Sequence, residues 1–391
     1  MLSTATAPAQ APAQGGQKQE APPIPFRVGV QPAELVDYSN TTTMTTSAQN
    51  LPVYNVTPNV WQRGFWILTQ IAFPSNAVAT LVLQTAAPFA GQNYPFSCWN
   101  TITFSDINSK AIVGGATFSG YDLYVAQKYF GYVNQGDARA SVTYNATLTG
   151  TPTAHQFALY LPLEVATRNG LGALENKSTA STFKLQLTLE SSTNLFSTGP
   201  TNAPVVTTRI TSDSYFSSKV AGTSPAPPAA GATQYLIKGS YPALSGSQSP
   251  IIQQGLGYPI RNLCLINYDS AGTRATGDTN FPDPLQFIYL GTSMFSRIRT
   301  LWLERMVRYY GYIATTRDAA NGLENGVYNL WFNGDFSNGP GDELGNAYLP
   351  TEAGSLLQFI GTWLNTSNMY AIANYIAAPN NNPASLRAGG R

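Results

Sequence analysis

The longest stretch of periodic apolar residues in the chain lies between Gly291 and Ile313. Its large apolar side chains recur every three or four residues, at Phe295, Ile298, Trp302, Met306 and Tyr309. This spacing predicts a helix with one apolar face. The charged residues lie largely off that face: Arg297, Arg299, Glu304, Arg305 and Arg308. They can therefore reach water or a partner.

Two further elements are predicted after this helix. Val327–Phe332 is a run of valine and aromatic residues between Gly326 and the turn pair Asn333-Gly334, which predicts a short strand. Residues 346–363 then predict a short helix or turn that leads into another strand.

The same order of elements occurs once before. Residues 118–133 predict an amphipathic helix, with Tyr121, Tyr124, Val125 and Tyr129 on one side. Residues 157–165 predict a strand, and residues 171–190 predict a short helix, a turn and an alternating strand. The chain is thus predicted to contain two copies of one β-rich plan.

The remaining pattern consists mostly of short strands separated by turn signals. Further strands are predicted at residues 64–74, 79–86, 142–150, 204–216, 235–244, 258–269, 281–291 and 369–377, with early edge strands at 26–30 and 41–47. Evenly spaced short strands indicate a sandwich or barrel, and eight-stranded sandwiches of this length are typically jelly rolls. The predicted fold class is therefore mainly β, with two eight-stranded jelly rolls and a few flanking helices.

The chain of 391 residues suits two domains. Residues 1–25, rich in Ala, Pro, Gln and Gly, predict a flexible arm. We place the first jelly roll at 26–216, the linker at 217–234 and the second jelly roll at 235–380. Residues 381–391 form a C-terminal tail in this division.

Composition favours a surface that other subunits cover. Only 10% of residues are charged, against about 25% in an average globular protein, and a monomer with so few surface charges is poorly soluble. The alternative is a secreted β protein rich in Ser and Thr. A net charge of +1 supplies no field that would attract nucleic acid or an anionic membrane.

Cysteine content and the chain start suggest folding in a reducing cytosol. Cys98 and Cys264 are flanked by apolar and aromatic residues, which predicts two buried thiols and no disulfide framework. The first residues lack the basic start and apolar core of a signal peptide. The sequence also has no apolar run long enough for a transmembrane helix.

Few residues offer catalytic or metal chemistry. His155 is the one histidine, and we interpret it as a structural residue in a turn before a strand. The acidic residues between Asp335 and Glu352, which include Asp342 and Glu343, are interpreted as part of a structural loop, with a calcium site or catalytic acids as alternatives. Trp331 and Trp363 are expected to fill a core or interface in preference to a sugar-binding platform. No catalytic, cofactor or metal residue is therefore predicted.

Several segments together resemble a known family. The first half contains GFWILTQIAFP, CWNTITFSD, FALYLPLEV and LGALENKSTASTFKLQLTLE in this order, and the second half contains IRNLCLINYDSAG and RIRTLWLERMVRYYGYI followed by NGVYNLWFN. In this order the segments resemble the double-jelly-roll major capsid proteins of tailless bacterial viruses of the tectivirus type. The resemblance covers residues 60–365, except for loops after Gln84, before Ser217 and after Phe332.

This resemblance implies a non-enzymatic coat protein of the virion that is synthesised in the host cytoplasm. Three chains would form a pseudo-hexagonal homotrimer, and these capsomers would tile an icosahedral shell over an internal membrane, together with penton or minor capsid proteins. Its interfaces would each bury about 2,000 Å² or more. We place Arg297, Arg299, Arg305 and Arg308 at a subunit interface and expect no direct nucleic-acid binding and no cofactor.

Two other classes of protein remain open at this stage. One is a carbohydrate-binding or carbohydrate-cleaving β-sandwich protein, and the other is a viral spike or attachment protein. A stable homotrimer distinguishes the coat protein from the first, because a sugar-cleaving enzyme needs two catalytic carboxylates and no particular oligomer.

Overall fold

The structure is a computed structural model of the chain. The residues that it describes are 25–73, 82–84, 93–132, 154–167, 170–176, 179, 182–199, 202–217, 233–274, 280–310, 324–332 and 348–377.

Strands dominate both halves of the described chain. The helices are α1 (Phe26–Gly29), α2 (Gly120–Tyr129), α3 (Ser192–Leu195) and α4 (Arg299–Tyr310). The strands of the first half are β1 (Val30–Thr43), β2 (Gln49–Asn50), β3 (Tyr54–Asn55), β4 (Val60–Ala72), β5 (Val82–Leu83), β6 (Trp99–Ser105), β7 (Ala111–Gly115), β8 (Ala154–Pro162), β9 (Leu174–Asn176), β10 (Lys184–Leu189), β11 (Phe196–Thr198) and β12 (Val205–Ser217). The strands of the second half are β13 (Thr233–Gln248), β14 (Ile260–Asp269), β15 (Leu285–Tyr289), β16 (Thr292–Arg297), β17 (Val327–Trp331) and β18 (Leu357–Ala377).

The first half is a sandwich of two antiparallel sheets. One sheet has the strand order β1-β12-β4-β8, with β9 also paired to β4. In the other, β6 lies between β7 and β10, and β10 also pairs with β2 and β3. Their inner faces meet in a common core, where Phe65 of β4 packs against Phe104 of β6 with ring centroids 5.2 Å apart. Alternating apolar residues on each strand therefore close the sandwich.

Two long strands organise the second half. The C-terminal part of β18 pairs with β14 and with the start of β13, whereas its N-terminal part pairs with β15 and with the end of β13. β17 pairs with β14, and β16 pairs with β15. The core enclosed by these strands contains Leu263, Phe287, Trp302 and Phe359, all fully buried.

The two halves share one continuous sheet. β7 of the first half pairs in parallel with β13 of the second, and Val113, Gly114 and Gly115 lie opposite residues 236–238. The core of the first half also extends into the second, where it includes Cys264 and Met306. The described part of the molecule is therefore packed across the boundary between the halves, which we call the seam.

A buried ion cluster also crosses the seam. Lys128 of α2 donates to Oε1 of Glu324 at 3.1 Å, and Arg274 donates to Oε2 of the same carboxylate at 3.1 Å. The hydroxyls of Tyr121 and Tyr124 donate to these two oxygens at 3.1 and 2.9 Å. Each charged group of the cluster is buried. Because a buried charge without a partner is strongly unfavourable, this cluster holds α2 in place against the second half.

The predicted helix over 291–313 is wrong in its first part. Residues Thr292–Arg297 form β16, and α4 begins only at Arg299. Hydrogen bonds between β16 and β15 compete with the helix, and Phe295 stacks on Phe287 with ring centroids 5.1 Å apart. The later apolar positions Trp302 and Met306 are buried as predicted. Ile298 lies just before the helix and is 52% exposed.

Helix α2 is present, but the prediction of an amphipathic helix is wrong. All of its residues are buried, because it is covered on every side. Ser119 caps its first turn and forms a capping box with Asp122. The charged residues of α2, Asp122 and Lys128, therefore form ion pairs inside the protein and do not face water.

Most of the predicted strands are confirmed, with some changed boundaries. Residues 346–363 and 369–377 contribute to one strand, β18, and the described residues before it form a turn. Residues 171–176 contain β9 where a short helix was predicted, and 26–29 form α1 where a strand was predicted. The predicted strand at 142–150 lies outside the described residues.

We expect Gly115→Ala to weaken the seam. Gly115 has φ +105°, and an added Cβ would lie 2.3 Å from the carbonyl oxygen of Lys238 on β13. Strain and this clash should lower the free energy of unfolding by about 2 kcal/mol or more. Urea unfolding followed by tryptophan fluorescence measures this loss. Gly199→Ala is the control, because nothing lies within 4 Å of a Cβ there; equal effects at both positions would contradict the proposed role of Gly115.

We expect Glu324→Gln to be among the most destabilising single changes in the chain. It leaves Lys128 and Arg274 buried without their shared anion, which should cost about 3–5 kcal/mol. Chemical unfolding would measure this cost. The matched control is Glu352→Gln, at an exposed position, where we expect a change within about 0.5 kcal/mol. A loss at Glu324 no larger than that of the control would show that the cluster does not stabilise the seam.

Candidate functional site

The predicted site residues lie on β16, at the edge of a sheet, and on the adjoining helix α4. Several apolar side chains are exposed there. Among the described strands, β16 pairs only with β15, so one of its sides is open. Leu290, Met294, Ile298 and Leu301 project from this region and are exposed. We call these residues, together with exposed Arg305, the edge surface. Leu356 extends it, since the Leu290 amide donates to the Leu356 carbonyl at 2.9 Å.

Alternation along β16 explains why this surface is apolar. Phe295 points into the core, where its ring lies 5.8 Å from that of Trp302, so its neighbour Met294 points outwards. On α4, Trp302 and Met306 face the core, which leaves Leu301 and Arg305 on the outer side. Because Phe295, Trp302 and Met306 point into the core, the apolar side chains of Met294 and Leu301 point into the solvent.

The four arginines predicted at a subunit interface have different environments. The guanidinium of Arg297 lies over the ring of Phe295 at 4.1 Å and near that of Trp302 at 5.6 Å. Arg299 donates from Nε to the hydroxyl of Tyr328 at 3.1 Å. Arg305 is exposed, and the side chain of Arg308 lies outside the described residues. Arg297 and Arg299 thus support the edge from within the chain, while Arg305 lies on its surface.

A second open sheet edge belongs to the first half. β1 is a long strand that pairs with β12 on one side, and in the described structure its other side has no strand partner. Val36 on β1 is 68% exposed. A long exposed edge offers unpaired backbone groups to another chain unless something covers it. β1 includes residues 41–43 of the edge strand predicted at 41–47, whereas residues 26–29, also predicted as an edge strand, form α1.

The start of the described chain is anchored beside β1. Phe26 packs edge-on against Trp61 and Tyr215, with ring centroids 5.4 and 5.6 Å away. Arg27 lies 4.6 Å over the ring of Tyr215. These contacts hold the first described residues against the first half.

An ion-pair cluster lies beneath that anchor. Arg63 donates from Nε to Glu164 at 2.7 Å and from Nη1 to Asp213 at 3.0 Å. The hydroxyl of Tyr215 donates to the other oxygen of Glu164 at 2.8 Å. Burial raises the pKa of Glu164 and of Asp213, and the charge of Arg63 opposes that rise. These contacts pair the charged groups of the cluster with one another.

The predicted buried thiols are confirmed, but the interpretation of His155 is corrected. Cys98 and Cys264 are fully buried, and burial raises the pKa of each thiol well above its usual range. His155 does not lie in a turn before the strand: it is a buried residue within β8. Its Nδ1 is 2.5 Å from the hydroxyl of Tyr94. Packing of β8 against the aromatic cluster of Tyr94 and Phe73 accounts for its burial.

The described residues offer few other groups for catalysis, metal binding or sugar binding. They contain no group of three or more His, Cys, Asp or Glu side chains that could hold a metal ion. The loop at 333–347, which carries most of the predicted acidic cluster, lies outside the described residues, while Glu352 is exposed. Trp363 is buried, and Trp331 donates to the Tyr129 carbonyl at 2.8 Å, so both serve internal packing. Within the described part of the chain, no helix is both long and apolar enough to cross a membrane.

The sequence patterns did not predict that charged groups of the two halves meet at the seam. Glu324, Arg274 and Lys128 are separated by about 50 to 200 positions in the chain. No periodic pattern marks residues that meet only after two halves pack. A local signal exists for Asp122, which forms the Ser/Thr-x-x-Asp/Glu helix-start pattern with Ser119 and also pairs with Lys238 of β13 across the seam.

Comparisons with known proteins identify the fold. No protein-family model and no curated protein matched the sequence. Among solved structures, the atomic structure of Sulfolobus Turreted Icosahedral Virus matches with a TM-score of 0.58 at 16% identity, over 92% of this chain and 95% of that chain. The crystal structure of the STIV MCP gives 0.56 at 15% identity, over 88% and 97%. The PBCV-1 virus capsid gives 0.52 at 10% identity, over 88% and 93%. This chain therefore has the double-jelly-roll fold of viral major capsid proteins.

Proposed function

We propose that this chain is a major capsid protein and that three copies form a pseudo-hexagonal capsomer in an icosahedral virion. The observation that carries the proposal is the end-to-end structural match to the virus of Sulfolobus, which covers 92% of this chain and 95% of that chain. A match over both halves and the seam supports a shared architecture better than a match to one sandwich would. The protein acts by its shape and interfaces in this proposal, and not as an enzyme.

The two halves suit such a capsomer geometrically. Each half presents a sandwich of similar plan, so three chains around an axis supply six corners. The continuous sheet and the buried cluster at Glu324 keep the two corners of one chain at a constant distance. A tile that must match its neighbours in a shell needs that rigidity.

The open edges suggest where copies meet. The edge surface of the second half and β1 of the first half lie in different parts of one chain. A contact between these unlike surfaces would close a ring of three if each contact rotates the next copy by a third of a turn. Arg305 and Arg308 would pair with acidic residues of the neighbouring copy, with Arg297 and Arg299 supporting the edge from beneath. Low charge over the remaining surface favours the further contacts between capsomers.

The partners in this proposal are mainly other copies of the chain. Penton or minor capsid proteins would complete the vertices, and an internal membrane would lie under the shell. Nucleic acid is not expected to bind directly, since the net charge of +1 provides no basic field.

The first test is the solution mass of the purified protein by light scattering. We expect three times the mass of one chain, unchanged on dilution, and shells in electron micrographs after assembly. The double substitution Ile298→Asp, Leu301→Asp should convert trimers to monomers, because it places charges in a contact that loses water on association. Leu364→Asp is the matched control, since Leu364 is 71% exposed outside the edge surface. A stable wild-type monomer would overturn the proposal, and trimers in the double variant would overturn the assigned surface.

A second test removes residues 1–24. The anchor at Phe26 and Arg27 remains in the shortened chain, so we expect the first half to fold and the trimer to form. The arm would contact neighbouring capsomers or the membrane, and its loss should reduce the yield of closed shells at least several-fold. Light scattering and electron microscopy measure the two effects separately. Normal shells from the shortened chain would show that the arm is not needed for assembly.

A further inference from the structure

A polar cavity opens at the seam between the two halves. Its volume is about 250 Å³, equivalent to roughly eight water molecules in the liquid. Asn93 and Glu190 of the first half line one side, and Lys238, Tyr268 and Tyr370 of the second half line the other. The cavity exists only because the halves pack together. It is separate from the edge surface and shares no residue with it.

Two charged groups in the cavity wall are held in place by other residues. Lys238 donates to Asp122 at 2.7 Å and to the Thr117 carbonyl at 3.1 Å. Glu190 accepts at Oε1 from the Ser191 amide at 2.8 Å and from the Asn194 side chain at 2.9 Å. Since these contacts orient both side chains before any ligand arrives, the site is preorganised.

Three side chains in the cavity wall, those of Asn93, Lys238 and Glu190, can each form a further hydrogen bond. Asn93 is only 7% exposed, and within the described part of the structure its Oδ1 has no hydrogen-bond partner. An ammonium group has three donors, of which Lys238 uses two in the contacts above. The carboxylate contacts of Glu190 involve Oε1, so Oε2 can accept a further hydrogen bond. A ligand that supplies both O–H donors and oxygen acceptors would satisfy all three groups.

Charge selects against ions in this cavity. The ammonium of Lys238 is paired with Asp122, whereas Glu190 has no ion pair among the described residues, so its carboxylate disfavours anions. Lys238 itself repels a cation that approaches the same wall. The ligand that fits both groups is therefore neutral and polar.

Aromatic rings complete the cavity. Tyr268 and Tyr370 meet edge to face with ring centroids 5.7 Å apart, and Lys238 lies 4.5 Å over the Tyr370 ring. Burial raises the pKa of Tyr268, so its hydroxyl stays protonated and can donate. Apolar ring surface next to fixed polar groups is the usual composition of a small-molecule site.

We propose that the seam cavity binds a neutral polyhydroxylated ligand of about the size of one hexose, such as the terminal sugar of a glycan. The hydroxyls of the sugar would donate to Asn93 Oδ1 and Glu190 Oε2 and accept from Lys238, while its C–H faces would pack on the tyrosine rings. This inference goes beyond the proposed capsid function, because it assigns a ligand to one chain, whatever that chain assembles into.

The test uses the full-length protein and three probes, the methyl glycosides of glucose, galactose and mannose, in saturation-transfer NMR. We expect transfer to at least one probe at millimolar concentration. Glu190→Gln should reduce that signal at least five-fold, since it removes the charged acceptor but retains the shape, and Asn93→Leu should abolish it. Glu352→Gln removes the same charge at an exposed position that does not line the cavity, and should leave the signal unchanged.

Each outcome decides the proposal. No transfer to any probe would overturn it and leave the cavity to ordered water. Transfer that is equal in the wild type and in both cavity variants would also overturn it, because the sugar would then bind elsewhere. Circular dichroism and light scattering on the same samples verify folding and mass, so a failure of sugar binding is distinguishable from a failure of the capsid proposal.

Discussion

The rest of the structure depends on the ion pairs of the Glu324 carboxylate. This carboxylate lies between a lysine of the first half and an arginine of the second. The ion pairs of this carboxylate join parts of the chain about 200 positions apart. The hydroxyls of Tyr121 and Tyr124 donate to it, and the hydroxyl of Tyr129 accepts from the backbone amide of Glu324. Next to it, β7 and β13 pair in parallel and make one sheet from strands of both halves. Together these contacts convert two sandwiches into one rigid unit, and they bury α2 completely.

Rigidity at the seam determines what the outer surfaces can do. With the two sandwiches held at one distance, the open edges at β1 and β16 have a constant separation, which the proposed ring of three would need. Both edges expose apolar side chains that a free monomer would leave in water. The same packing that creates these edges also creates the seam cavity, so assembly and ligand binding would both rest on one internal framework.

Sequence patterns predicted the elements that local composition favours. Valine and aromatic runs between turn residues correctly predicted β4, β12, β14 and β17, because β-branched and aromatic residues bounded by turn residues favour strands. The helix boundary at Arg299 was missed, since hydrogen bonds to β15 outweighed the helical periodicity before it. The predicted amphipathic character of α2 was wrong for a similar reason: tertiary contacts cover both of its faces.

The sequence by itself determined the mainly β fold, the buried thiols and, through the resemblance in the order of segments, the capsid hypothesis. These features depend on local pattern or on order along the chain. Only the tertiary structure decided that Arg297 lies on an aromatic stack, that His155 is buried, and that Glu324, Lys128 and Arg274 meet. The physical reason is that pairing between distant residues depends on how two sandwiches pack, and no local periodicity encodes that packing.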